Sequence, residues 1–257
     1  MRMKAGMIAA GAAAVLMLTA SGIMDAGGRT IVFAGDSITD GNWGQPEGWP
    51  CPTEKRNEWD KNHVYGHGFA EMVIGELSAT EPDASNRYYN RGISGNTLAQ
   101  LAERWDRDVL AKDPTVVSVL IGTNDVHYAL ERGETSLDYA GWGAMLDSLV
   151  SLTQERLPGV RVILCTPFTV KSGNPGQAAD YGTRAEMTLK LDSIVESVGV
   201  RRGATVVDFG GMVRKLTADT TAVEADYWIW DGVHPTTALH NLMAKEWLKK
   251  FRGCTEK

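Results

Sequence analysis

Cysteine is scarce: the 257 residues hold three, Cys51, Cys165 and Cys254. None stands at metal-site spacing, which excludes a cysteine-built zinc or iron–sulfur module. Cys165 lies inside the apolar run Val162-Ile-Leu-Cys165 and reads as a buried free thiol. Cys51 and Cys254 remain as a pair that an oxidising compartment could bridge. Positive charge is also short, with 26 Lys and Arg against 32 Asp and Glu. That acidic balance repels phosphate backbones and argues against nucleic acid as a partner. No apolar run reaches the roughly 18–20 residues of a membrane-spanning helix. No glycine-rich loop with a lysine follows any strand-like run, so nucleotide chemistry has no support. There is no His-Glu-x-x-His pattern. His63, His67 and Glu71 are spaced by four, but Gly66 and Gly68 make a poor helix there, and we expect no metal and no organic cofactor. No repeat, low-complexity linker or second core interrupts the chain. At 43% hydrophobic and 23% charged, its composition is that of a globular protein.

What is present begins at the N-terminus. Arg2 and Lys4 precede a 14-residue stretch, Met7 to Ala20, of apolar and small residues with one threonine. A basic start, a short apolar middle and small residues beyond are the parts of a secretory signal peptide, here residues 1–22. An uncleaved anchor and a buried first helix are the other readings. No cysteine follows the run, which disfavours a lipid-modified terminus. Loss of Arg2 and Lys4 takes the formal charge from −6 to −8. The expectation is an exported protein (periplasmic, cell-surface or secreted) with no stable membrane span after processing.

Five β-rich runs follow, at 30–34, 87–90, 115–121, 161–166 and 204–209. Three are almost continuously apolar, as strands buried on both faces are. Helical patterns cover 68–78, 97–110, 137–157, 177–198 and 236–251. Strands alternating with helices predict an α/β fold: a single-domain three-layer α/β/α sandwich over 28–252, with a mostly parallel sheet of about five strands. One segment departs from the alternation. Residues 42–65 hold Gly, Pro and Asn throughout and three of the eight tryptophans, Trp43, Trp49 and Trp59. We read it as an ordered loop insertion near the strand ends.

Ligands of open parallel sheets bind beyond the carboxyl ends of the strands. The first strand exits into Gly35-Asp36-Ser37, the second into Asn90-Arg91-Gly92-Ile93-Ser94-Gly95, and the third into Gly122-Thr123-Asn124-Asp125. Near the C-terminus stands Asp231-Gly232-Val233-His234. Ester hydrolysis needs a nucleophile, a base, a group that orients the base and donors for the oxyanion. Ser37, at a helix start after a buried strand, suits the nucleophile, and His234 suits the base. Asp231 is near enough in sequence to fold onto the imidazole and fix its tautomer. The Ser37 and Gly92 backbone N–H groups and the Asn124 amide are candidate oxyanion donors. Taken singly, each has a plainer role: a helix cap for Ser37, a turn for Asn124 and Asp125, backbone geometry for Gly92, a surface pair for Asp231 and His234. His127 could line the pocket but reads first as a structural histidine, and His240 as a solvent-facing or capping one.

The four blocks in this order resemble the SGNH hydrolases, the GDSL-type esterase and lipase superfamily. Gly35-Asp36-Ser37 matches the Gly-Asp-Ser block, and Asn90–Gly95 the glycine block. Gly122–Asp125 matches Gly-x-Asn-Asp, and Asp231–His234 matches Asp-x-x-His. The resemblance spans nearly the whole mature chain. It implies a flavodoxin-like sheet, Ser37 as nucleophile, His234 as base, Asp231 as its partner, and an oxyanion hole of Ser37, Gly92 and Asn124. It implies no cofactor. The Trp-rich loop departs from simpler members, and the Gly-x-Ser-x-Gly elbow of the α/β-hydrolases is absent.

For substrate, Trp43, Trp49 and Trp59, with Trp228 and Trp230 beside the triad, could offer flat faces to sugar rings. No long apolar insertion suggests a lipid groove or lid. The expectation is a carbohydrate O-acetylesterase acting on an acylated glycan or small molecule. The alternatives are a lipolytic esterase or lysophospholipase, a cell-envelope acyltransferase using the same triad, and a glycan-binding module with a decayed site.

Overall fold

The computed structural model describes residues 28–41, 66–171, 180–218 and 221–253. Residues 1–22, expected to be a leader, the Trp-rich segment 42–65 with His63 and Cys51, and Cys254 lie outside the described residues. Five parallel strands, β1 (Thr30–Gly35), β2 (Arg87–Gly92), β3 (Val116–Leu120), β4 (Arg161–Cys165) and β5 (Thr205–Val207), form one sheet in the order β2-β1-β3-β4-β5. The expected five-stranded α/β architecture is what the chain adopts.

Strand residues alternate between two cores because successive side chains point to opposite faces. Ile31, Phe33, Val116, Leu120, Ile163 and Val207 face one cluster, which is closed by α2 (Phe69–Thr80), α8 (Phe209–Ala218) and α9 (Thr237–Gly253). Val32, Ala34, Val117, Val119, Val162 and Leu164 face the other. That second layer is covered by α3 (Leu98–Glu103), α4 (Trp105–Asp108), α5 (Thr123–Glu131), α6 (Tyr139–Arg156) and α7 (Tyr181–Arg202). Fully buried Trp247 donates its indole N–H to Ser118 Oγ at 2.9 Å, so its polar edge is satisfied inside the first core. Cys165 is the buried free thiol expected of it, and burial pushes it up to about 12.

The helices differ from expectation in two ways. The pattern at 97–110 is not one helix: it breaks at Arg104 (φ −108°, ψ 6°) into α3 and α4. Two helices, α5 and α8, stand where none was read. Among the described residues, no helix is long and apolar enough to cross a membrane.

The strand order puts β2 and β3 on opposite sides of β1. In such a doubly wound sheet the connections part at the C-terminal ends of β1 and β3 and leave a crevice there. Ser37 leaves β1, and Asn124 leaves β3, at that crevice.

Candidate active site

The chain turns from β1 straight into a single helical turn, α1 (Ser37–Asp40). Asp36, not Ser37, is its N-cap: Asp36 Oδ1 accepts from the Ile38 N–H at 3.0 Å. Ser37 is thereby freed from capping and presents its hydroxyl to the crevice. Asn90 closes the other end of the turn, its amide donating to Thr39 O at 2.8 Å and to Asp40 O at 3.1 Å. Asp36 is 1% exposed, and burial pushes its carboxyl up to about 7.

Opposite Ser37 stands the 229–235 loop, pinched by an antiparallel bridge between Ile229 and Pro235. Asp231 Oδ1 accepts from the backbone N–H groups of Val233 and His234 at 2.9 and 2.7 Å. Its Oδ2 lies 2.6 Å from His234 Nδ1, and His234 Nε2 lies 2.9 Å from Ser37 Oγ. Burial opposes ionisation of Asp231, but the hydrogen bonds from His234 and Val233 outweigh it and hold the carboxyl below its ordinary value. An ionised Asp231 fixes the proton on Nδ1, which leaves Nε2 to accept from the serine hydroxyl. From outside the loop, Thr169 Oγ1 and the Val170 N–H both donate to Gly232 O.

Asn124 is the second residue of α5. Its amide donates one N–H to Asn96 O at 3.1 Å, and a primary amide has a second to offer the pocket. The neighbouring Asp125 locks α5 in place: its carboxylate accepts from the Leu98 N–H at the start of α3 and from Trp142 Nε1 at 3.0 Å.

Gly92 requires a correction. It ends β2, buried beneath α1, and its N–H donates to Asn90 Oδ1 at 3.0 Å. A Cβ there would sit 2.3 Å from Asp40 N, so this glycine admits α1 against β2 rather than serving the pocket. Three residues on, Gly95 lines the cleft with Ser37, Asn124, Thr123, Tyr128 and His234. The turn from Ile93 to Asn96 is closed by Asn96 N–H to Ile93 O at 3.1 Å, and Gly95 takes φ +81° in its third position. That is the backbone a type II turn reserves for glycine. The signal was in the sequence, since both glycines belong to the same block. Only the turn geometry separates them.

The cleft encloses about 180 Å³, and Val233 and His127 complete its described wall. His127 thus reaches the pocket while pairing outward with Glu131 at 3.2 Å. Trp230 is half exposed and lies nearly parallel to the His234 ring, with centroids 6.3 Å apart. Trp228 instead packs partly buried against the first core and takes no part in this rim. His240 faces inward: its Nδ1 accepts from the Phe69 N–H at 3.1 Å and so caps α2. His67 is exposed, and among the described residues no group of three His, Cys, Asp or Glu could hold a metal ion.

The profile of the GDSL-like lipase/acylhydrolase family matches residues 33–242. An acetylxylan esterase of Geobacillus stearothermophilus is 33% identical over 227 residues, covering 87% of this chain and 94% of that protein. The crystal structure of a GDSL-like lipase from Parabacteroides merdae superposes with a TM-score of 0.74 at 29% identity, over 87% of this chain and 95% of that one. Axe2, an acetylxylan esterase from Geobacillus stearothermophilus, superposes at 0.69 with 28% identity, over 87% and 94%. Variants of Axe2 described as catalytic mutants replace a serine, an aspartate or a histidine by alanine, and that aspartate and histidine stand three positions apart.

Proposed function

This chain belongs to the GDSL-like lipase/acylhydrolase family and is a carboxylic ester hydrolase, and on that premise we propose that it is an exported serine esterase that removes acetyl groups from glycans. The observation that carries the catalytic part is the unbroken line Ser37 Oγ, His234 Nε2, His234 Nδ1, Asp231 Oδ2, with gaps of 2.9 and 2.6 Å. Asp231 and His234 are spaced as are the aspartate and histidine of the Axe2 catalytic mutants.

In this reading His234 Nε2 takes the Ser37 proton as Oγ attacks the acyl carbon. The Ser37 and Gly95 backbone N–H groups and the second Asn124 N–H receive the oxyanion. Collapse breaks the bond to the alcohol oxygen, which leaves with the proton from His234. A water then repeats the sequence, giving its proton to His234 and its oxygen to the acyl group, and Ser37 is restored. Asp231 stays ionised throughout and stabilises the imidazolium.

The small acyl group is supported by the cleft, whose 180 Å³ falls below the roughly 300–1,000 Å³ of pockets that take drug-sized ligands. The sugar is supported by Trp230, half exposed beside the base, and by acetylxylan esterases among the relatives. Export is supported by the basic and apolar pattern of residues 1–22.

The test is a p-nitrophenyl ester series, acetate to decanoate, beside acetylated xylo-oligosaccharides. Acetate should be turned over best, and the oligosaccharide deacetylated. Trp230→Ala should raise KM for the oligosaccharide by about tenfold and leave p-nitrophenyl acetate within twofold, the worth of one aromatic stacking contact. A preference for decanoate with no glycan turnover would move the substrate to lipids, and acyl transfer to added sugar in preference to water would move the reaction to acyl transfer.

A further inference from the structure

Behind the pocket sits a charged group that the reaction does not touch. Arg104 is 8% exposed, and its guanidinium spans three chain segments. Nη2 donates to Gly35 O at 2.9 Å, two residues before Ser37. Nη1 donates to Arg91 O at 2.7 Å, near the end of β2, and to Asp108 Oδ2 at 2.9 Å. Nε donates to Asn96 Oδ1 at 2.8 Å. Asn96 follows Gly95, and its carbonyl is the acceptor that holds the Asn124 amide. One planar fork therefore reaches the backbone before the serine, the strand leading to the Gly95 turn, and the residue that orients Asn124. Gly35 O also accepts from the Ile93 N–H at 3.0 Å, so the same carbonyl ties the Gly95 turn to β1. Helix α3 breaks at Arg104 itself, the backbone leaving helical geometry where the side chain enters the interior.

We propose that Arg104 is a positioning residue for the oxyanion hole, acting through Asn96 on Asn124; the proposal rests on the serine-esterase reading above. The chemistry calls for arginine. Its donors are fixed in one plane and cannot lose their charge, so they hold carbonyls at set angles, whereas lysine offers a point charge on a flexible stem. Lysine could keep the ion pair with Asp108 but could not bridge Gly35, Arg91 and Asn96 together. Small misplacements of groups that stabilise a transition state are costly in rate, while substrate binding depends on other contacts.

The experiment is a double-mutant cycle read in kcat and KM for p-nitrophenyl acetate. Arg104→Lys should lower kcat by about 10- to 100-fold with KM within about twofold. In the Asn124→Ala background the same change should cost less than about threefold, because the donor it positions is gone. Asn96→Ala leaves the Arg104–Asp108 pair intact and should reproduce most of the loss with an unchanged melting temperature. Asn96→Asp, which keeps an acceptor for Nε, should restore most of it. If Arg104→Lys does not fold, the Asn96→Ala and Asn124→Ala cycle carries the same test. Losses that multiply in the double variant, or a rise in KM with kcat intact, would overturn the proposal. Ser37→Ala and Asn124→Ala test the underlying reading separately. Full activity of the first, or a loss below tenfold in the second, would remove the oxyanion role and the proposal with it.

Discussion

The two sides of the cleft are built differently. Ser37, Gly95 and Asn124 stand at the ends of β1, β2 and β3, and their supports, of which Asn90 and Arg104 are buried, tie together distant parts of the chain. Asn90 closes the turn that bears Ser37, Asp125 clamps α5 to α3 and α6, and Arg104 binds carbonyls from two strands. Asp231 and His234 occupy a loop, and most of what orients them lies within four residues. Thr169 and Val170, both bonded to Gly232 O, reach it from the segment after β4. The contrast suits the work proposed for each side. Donors that stabilise charge gain most when they are fixed before the reaction. A base that moves a proton needs one orientation and one tautomer, and a neighbouring carboxylate supplies both.

Substitutions should break the two sides in different ways. The largest effect belongs to Ser37→Ala, for which turnover should fall on the order of 10⁵–10⁶-fold with the circular dichroism spectrum unchanged. Asp231→Asn should come next, with kcat down on the order of 10⁴-fold, because an amide holds the imidazole in the wrong tautomer. Its Oδ1 can still accept from the Val233 and His234 N–H groups, so the loop and the melting temperature should survive. A matching fall in melting temperature would show that the loop, not the tautomer, was lost. On the strand side, Asn124→Ala should cost about 10²–10³ in kcat. These are steady-state measurements on p-nitrophenyl acetate.

The same contrast governs what the residues alone could reveal. The Asp231–His234 contact was legible, because its geometry is local: an aspartate three residues before a histidine can close on it within one turn. The five strands were legible from their apolar runs. The side proposed to hold the oxyanion was read only in part. Gly92 and Gly95 are indistinguishable until Gly95 is seen to carry φ +81° and Gly92 to lie under α1. Arg104 carries no such local signal, since its partners lie up to 69 positions away. The missed helices have local causes. α5 opens on Gly-Thr-Asn-Asp, residues that signal turns, and α8 opens on Phe-Gly-Gly, where each glycine costs about 1 kcal/mol of helix propensity. Burial of Phe209 and Val213 in the first core overrides that preference.

A subtler difference concerns acid. The Arg104 guanidinium keeps its charge at any pH at which the protein folds, whereas the base loop continues into α9, one of whose bonds to α2 is made by His240. Burial, with a smaller contribution from the charge of His234, lowers His240 from its ordinary 6.5 to about 4. The folded protein holds this ring neutral, as the Phe69 N–H requires of its acceptor. The unfolded chain protonates it near 6.5, so its contribution is complete above that pH and is lost as pH falls toward 4. The full change amounts to about 3 kcal/mol of unfolding free energy. Asp36 and Asp192, both pushed up to about 7 by burial, act in the opposite sense, gaining as pH falls below 7, and so mask it in the wild type. The difference between wild type and His240→Gln isolates it, since glutamine offers an amide oxygen to Phe69 but does not titrate. Urea unfolding at pH 7.5, 5.5 and 4.5 should show the stability of wild type relative to His240→Gln shrinking with each step down. A constant gap between the two would mean that His240 holds α2 without sensing pH, and the two sides of the cleft would then be alike in their response to acid.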